Sequence, residues 1–130
     1  MRKSRTLIES FTYAIAGIVY SIKTQRNMCI HFSVAVLVFI SAVLLKIDYI
    51  EMSLVFFAIS LVILTEMINT AIEKTIDLFT KEYHPLAKIA KNVAAGAVLV
   101  SALNAVVIGF IIFYARIATL IKLLLKTYLR

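Results

Sequence analysis

A chain of 130 residues that is 62% hydrophobic and 16% charged, with one Cys, one Pro and no Trp, does not have a water-soluble composition, for which about 45 to 50% apolar and about 25% charged residues are usual. The same figures exclude disorder, and Cys29 with only two imidazoles, His31 and His84, excludes a disulfide scaffold or a zinc module. Fourteen Lys and Arg against seven Asp and Glu give a net charge of +7, which beside apolar runs marks membrane flanks, so a lipid bilayer and no nucleic acid is the expected partner.

The first element, 4–23, has Leu7, Phe11, Ala14, Ile15, Ile18 and Ile22 at helical spacing, interrupted by Glu9, Thr12 and Lys23. That pattern predicts an amphipathic surface helix. It has no small-residue cleavage site of the signal-peptide kind, so it is expected to be retained. Residues 32–45 are an uncharged run of 14, extended across His31 by 28–30, and predict a first transmembrane helix over 28–46. A short polar turn, 46–51, follows, with Tyr49 at interfacial height. A second uncharged run of 14, 52–65, continues past Glu66 to predict a second span over 52–72, carried on as a cytoplasmic helix to about residue 80. His84-Pro85 then marks a helix break and a Pro-started helix. The third span is 93–115, 23 residues without a charge, about 35 Å at about 1.5 Å per residue. The chain therefore reads as one all-α membrane domain over 1–130, closed by a basic tail, 116–130.

Orientation follows from counting basic flanks. Arg2, Lys3, Arg5, Lys23 and Arg26 precede the first span, Lys46 alone lies in the hairpin, and Lys74, Lys81, Lys88 and Lys91 follow the second. The count predicts a cytoplasmic N-terminus and a cytoplasmic second loop. Three spans then put the C-terminus outside, where Arg116, Lys122, Lys126 and Arg130 run against the rule. Residues 117–125 are apolar enough either to lie in the interface or to re-enter, and the sequence leaves both open.

Three of the seven acids, Glu66, Glu73 and Asp77, fall on one predicted helix with Asn69 and Thr70 between them. Offsets of 3, 4, 7 and 11 return to one face, while Met67, Ile68, Ile72 and Ile76 form the other. A carboxylate inside a span persists only against water, a partner or a cation, at a cost of about 2.5 kcal/mol or more. Aligned carboxylates with amide support suit a hard cation such as Mg2+, which commonly bridges protein carboxylates to nucleotide phosphates. The plainer alternative is the solvated face of a helix leaving the membrane, its acids paired with Lys74, Lys81, Lys88 or Lys91. That alternative is weakest for Glu66, which has no Lys or Arg within a helical turn. His31 and Cys29 read by default as a satisfied polar group and a small hydrophobe.

The run Glu66-Met-Ile-Asn69-Thr70-Ala71-Ile72-Glu73-Lys-Thr-Ile-Asp77 resembles the signature of the prokaryotic diacylglycerol kinase and undecaprenol kinase family, E-x-x-N-[ST]-A-I-E-x-x-x-D. Glu82-Tyr83-His84, and Ala90-Lys91-Asn92-Val-Ala-Ala-Gly96-Ala97-Val98, resemble its next two blocks at similar spacing. Upstream, Gly17 and the stretch from Lys23 through Gln25-Arg26-Asn27 to His31 are similar to the K-E-E-R-N-x-x-x-H block of the undecaprenol-type branch. The likeness covers about residues 5 to 115.

What the resemblance implies is a homotrimer of three-span subunits that transfers the γ-phosphate of ATP, with Mg2+, to a membrane lipid alcohol at the cytoplasmic surface of the bacterial inner membrane, undecaprenol being preferred over diacylglycerol. By position, Glu66 would be the general base and Glu73 a metal ligand. Asn69, Asp77, Glu82, Lys91 and Asn92 would surround the nucleotide, Lys91 on phosphate. The chain departs from the family where Gln25 stands in place of a metal-binding Glu and Asn92 in place of an Asp. Both changes remove a negative charge, which implies weaker or rearranged metal binding. The alternatives are a non-catalytic family member that binds nucleotide or lipid and, since intramembrane acids also mark proton and cation paths, transport of a soluble substrate.

Overall fold

The computed structural model describes residues 6–80 and 82–128. The flanking charges Arg2, Lys3, Arg5, Lys81 and Arg130 lie outside the described residues. Four helices follow one another: α1 Leu7–Thr24, α2 Arg26–Leu44, α3 Tyr49–Phe79 and α4 Pro85–Tyr128.

Local chemistry sets the boundaries. Thr6 and Glu9 form a capping box at the start of α1: the Glu9 N–H donates to Thr6 Oγ1 at 3.3 Å, and the Thr6 N–H donates to Glu9 Oε2 at 2.8 Å. The single residue Gln25, extended at φ −108 and ψ 114, ends α1 and begins α2. Across that corner the Cys29 thiol donates to the Ile22 carbonyl at 2.9 Å, so the residue read as a small hydrophobe ties the bend. At the hairpin, Lys46 takes the left-handed conformation at φ 50. The N–H of Lys46 reaches the Val43 carbonyl and that of Ile47 the Ala42 carbonyl, the Schellman pattern that gathers the last carbonyls of a helix. Asp48 then accepts from the N–H groups of Ile50 and Glu51, both at 2.9 Å, and Glu51 accepts from the Asp48 N–H.

Helices α2, α3 and α4 are long and apolar enough to cross a membrane. Few of their side chains are buried, and those that are lie mainly on α3 at helical spacing: Val55, Ala58, Val62, Glu66, Asn69 and Thr70. Large apolar groups such as Phe56, Phe57, Val100 and Ile111 face outward, a distribution suited to lipid or to neighbouring apolar surface rather than to water.

The main packing is α3 against α4, with α2 laid against α3 and α1 against α2. Three polar links tie α3 to α4. Arg116 pairs with Glu51 at the hairpin end, Thr65 and Ser101 share a hydrogen bond of 2.8 Å at mid-height, and Lys91 pairs with Asp77 at 2.6 Å at the other end. The partners climb α3 as they descend α4, in one antiparallel register.

Helix α4 has 44 residues, about 66 Å at about 1.5 Å per residue, against about 30 Å of hydrocarbon. It does not stop where the uncharged run ends. The helix runs through Arg116 to Tyr128, so the described residues of the basic segment are helical and continuous with the span. Arg116 itself turns back, donating to the Leu45 and Lys46 carbonyls at 3.2 and 2.9 Å.

Candidate functional site

The acidic stripe of α3 holds together in three dimensions, and its members have different surroundings. Glu66 is 2% exposed and Asn69 7%. Burial of Glu66 follows from its place on the face that α3 turns toward α4, in line with Val62 and Thr70. Its Oε2 and the Oδ1 of Asn69 are buried without a hydrogen-bond partner, an arrangement that native proteins keep to a few cases per chain and that calls for a ligand or a function. Asn69 Nδ2 donates to Glu73 Oε1 at 3.3 Å, so the amide holds the half-buried acid a turn along. Thr70 donates to the Glu66 carbonyl.

Glu66 and Asn69 face a cavity of about 310 Å³ whose other walls are α2 and α4. From α2 come Asn27 and His31, one turn apart, and from α4 the small and apolar groups Ala95, Val98, Leu99 and Ala102. Neither Asn27 nor His31 was assigned to the site from sequence. Their spacing of four on a helix otherwise poor in polar groups is the signal that could have found them.

The other sequence-predicted residues stand apart from this cavity. Asp77 and Lys91, both substantially exposed, bond to each other. The Lys91 hydrogen bond, reinforced by the charges of Lys91 and Lys74 and opposed by desolvation, holds the Asp77 carboxyl below its ordinary value. The pairing of Asp77 with Lys91 matches the plainer reading of that acid. Asn92 is exposed on the next position of α4. Glu82 lies in the α3–α4 connection, its N–H donated to Thr80 Oγ1 at 3.2 Å. Gln25 sits at the α1–α2 corner, with no hydrogen bond to Glu73.

Among the described residues no group of three or more His, Cys, Asp or Glu side chains is gathered as a cage for a metal. What α3 offers is one half-buried carboxylate, Glu73, next to an amide whose oxygen is unpartnered. That donor set is all oxygen and sparse. It fits Mg2+, which keeps several waters and is usually held by one or two carboxylates together with substrate phosphates.

The prokaryotic diacylglycerol kinase family matches residues 12–113. The chain belongs to that family, a class of membrane lipid kinases. Over 104 residues it is 45% identical to a diacylglycerol kinase of Synechocystis sp., covering 79% of this chain and 59% of that protein. It is 41% identical over 109 residues to an undecaprenol kinase of Bacillus subtilis, covering 84% and 89%. With a diacylglycerol kinase of Escherichia coli K12 it shares 33% identity over 72 residues, 55% of this chain and 59% of that protein. The chain thus spans less than two thirds of the first and third of these relatives.

Proposed function

We propose that this protein transfers the γ-phosphate of ATP to a membrane lipid alcohol, undecaprenol in preference to diacylglycerol, at the cytoplasmic face of the bacterial inner membrane. The observation that carries the reading is Glu66: a buried carboxyl with an unpartnered oxygen beside a cavity, in a protein of a lipid kinase family. Both lipid names occur among its relatives. The likeness of the Arg26-Asn27 block to the undecaprenol-type branch favours the single-chain alcohol.

Phosphoryl transfer asks little covalent chemistry of a protein and much charge neutralisation and alignment. Glu66 accepts the proton of the lipid hydroxyl, the alcohol oxygen forms its bond to the γ-phosphorus, and the bond to the β-phosphate oxygen breaks to release ADP. Asn69 holds the Glu73 carboxylate through its amide. Glu73 and the Gln25 amide would hold Mg2+, which would supply neutralisation of the phosphate charge. Lys91 is shared between Asp77 and nucleotide phosphate, and Asn92 and Glu82 flank the nucleotide.

A single chain walls its cavity with three helices and leaves most of its apolar surface uncovered, which supports assembly as a homotrimer whose neighbours complete the site. Gly96 has open space where a Cβ would stand, and with the exposed Ala97 it allows another helix to come close. An N-terminus in the cytoplasm agrees with the basic flanks of the first two spans.

The test is phosphate transfer from ATP to undecaprenol and to diacylglycerol, side by side, by parent and Glu66→Gln. The parent is expected to prefer undecaprenol. Glu66→Gln should lose about 10²-fold or more in kcat, the usual contribution of a general base, with ATP affinity kept. Near-parental turnover of Glu66→Gln would remove it from this role.

A further inference from the structure

A second cavity of about 290 Å³ lies between α2, α3 and α4, and its walls are apolar, among them Val34, Val38, Val62, Val106 and Phe113. Two residues line both cavities, His31 and Ala102, and of the two only His31 carries a polar side chain. It therefore stands at the boundary between a compartment holding a carboxyl group and one that accepts only hydrocarbon. A lipid alcohol has the same division, a hydroxyl at the end of a long apolar chain.

We propose that His31 binds the hydroxyl of the lipid alcohol, a ring N–H donating to the hydroxyl oxygen while the hydroxyl proton is offered to Glu66 Oε2. The inference rests on the reading of Glu66 as the base. A neutral imidazole always has one N–H to donate, and the hydroxyl supplies the donor that the buried Oε2 lacks. The chain attached to the hydroxyl passes His31 into the apolar cavity. His31 is half-buried on α2, lining both cavities. Ala102, the other residue at that boundary, is small and apolar.

The measurement is steady-state transfer by the full chain in phospholipid vesicles, varying ATP and the membrane mole fraction of undecaprenol, for parent, His31→Leu and His31→Gln. Losing one hydrogen bond to substrate should raise the lipid KM of His31→Leu about tenfold, with the ATP KM essentially unmoved. His31→Gln, whose amide N–H restores a donor, should recover most of the loss. An unchanged lipid KM in His31→Leu overturns the role. So does a common rise in both KM values without recovery in His31→Gln, which marks a structural defect. A parent that phosphorylates neither undecaprenol nor diacylglycerol overturns instead the reading of Glu66.

Discussion

A carboxyl group on a helix turn of Val, Leu and Ile has to be maintained against its own cost, and the two acids of the α3 stripe inside or near the span are maintained differently. Glu66 is closed off from solvent with an oxygen unpartnered, whereas Glu73 is half-open and already holds the Asn69 amide. If Glu73 ligates Mg2+, Glu73→Ala raises the Mg2+ concentration for half-maximal activity, and Gln25→Glu lowers it by returning a negative charge. Asn92→Asp strengthens that second effect if the two positions share one site. Indistinguishable Mg2+ titrations for parent and Glu73→Ala would sink the assignment; a titration unmoved by Gln25→Glu would show that the corner does not approach the metal. The stripe was legible because a charge inside an uncharged run is visible in one dimension. The place of His31 between two cavities was not, since it depends on α2 lying against the packed pair of α3 and α4, and a lone imidazole on an apolar helix defaults to a packing role.

At the scale of helices, the span positions of α2, α3 and α4 could be read from charge-free runs, and the ends less well. Asp48 and Glu51 read as turn polarity, yet they are a reciprocal cap. Lys46 occupies the left-handed position that Gly usually takes at a cost of about 1 to 2 kcal/mol, and nothing in its side chain announces this. The ion pair between α3 and α4 at Asp77 carries a pH signature with a definite sign. Its folded-state carboxyl lies below its ordinary value, so its stabilisation is fully present above the unfolded value, about 3.9, and is lost as pH falls through the folded one. The difference in thermal stability between parent and Asp77→Asn should therefore be constant from pH 6 to 8, values chosen well above about 3.9, and shrink only in acid. A difference that already closes near neutrality would assign the pair's effect to another group.

At the hairpin α4 is tied to α3 and its turn by one side chain that the sequence presents only as a misplaced positive charge. Arg116 reaches the Leu45 and Lys46 carbonyls and the Glu51 carboxylate, partners some 65 to 71 positions away along the chain, beyond any local pattern. Arg116→Ala should lower unfolding stability in micelles by about 1 to 2 kcal/mol, the loss of a partly exposed charged bond and two backbone acceptors. A value indistinguishable from zero would mean the hairpin is held by packing alone. The three polar links between α3 and α4 also have a mechanical meaning. A slide of one helical turn, about 5.4 Å, would uncouple Glu51 from Arg116, Thr65 from Ser101 and Asp77 from Lys91 together, so the two helices shift as a single strut or not at all. Among the described residues no side-chain hydrogen bond or ion pair fastens α2 to that strut above the hairpin. The wall of the Glu66 cavity that carries Asn27 and His31 therefore rests on packing, at the end of α2 remote from the tethered hairpin, so the give available to a lipid arriving sideways from the bilayer is on that side.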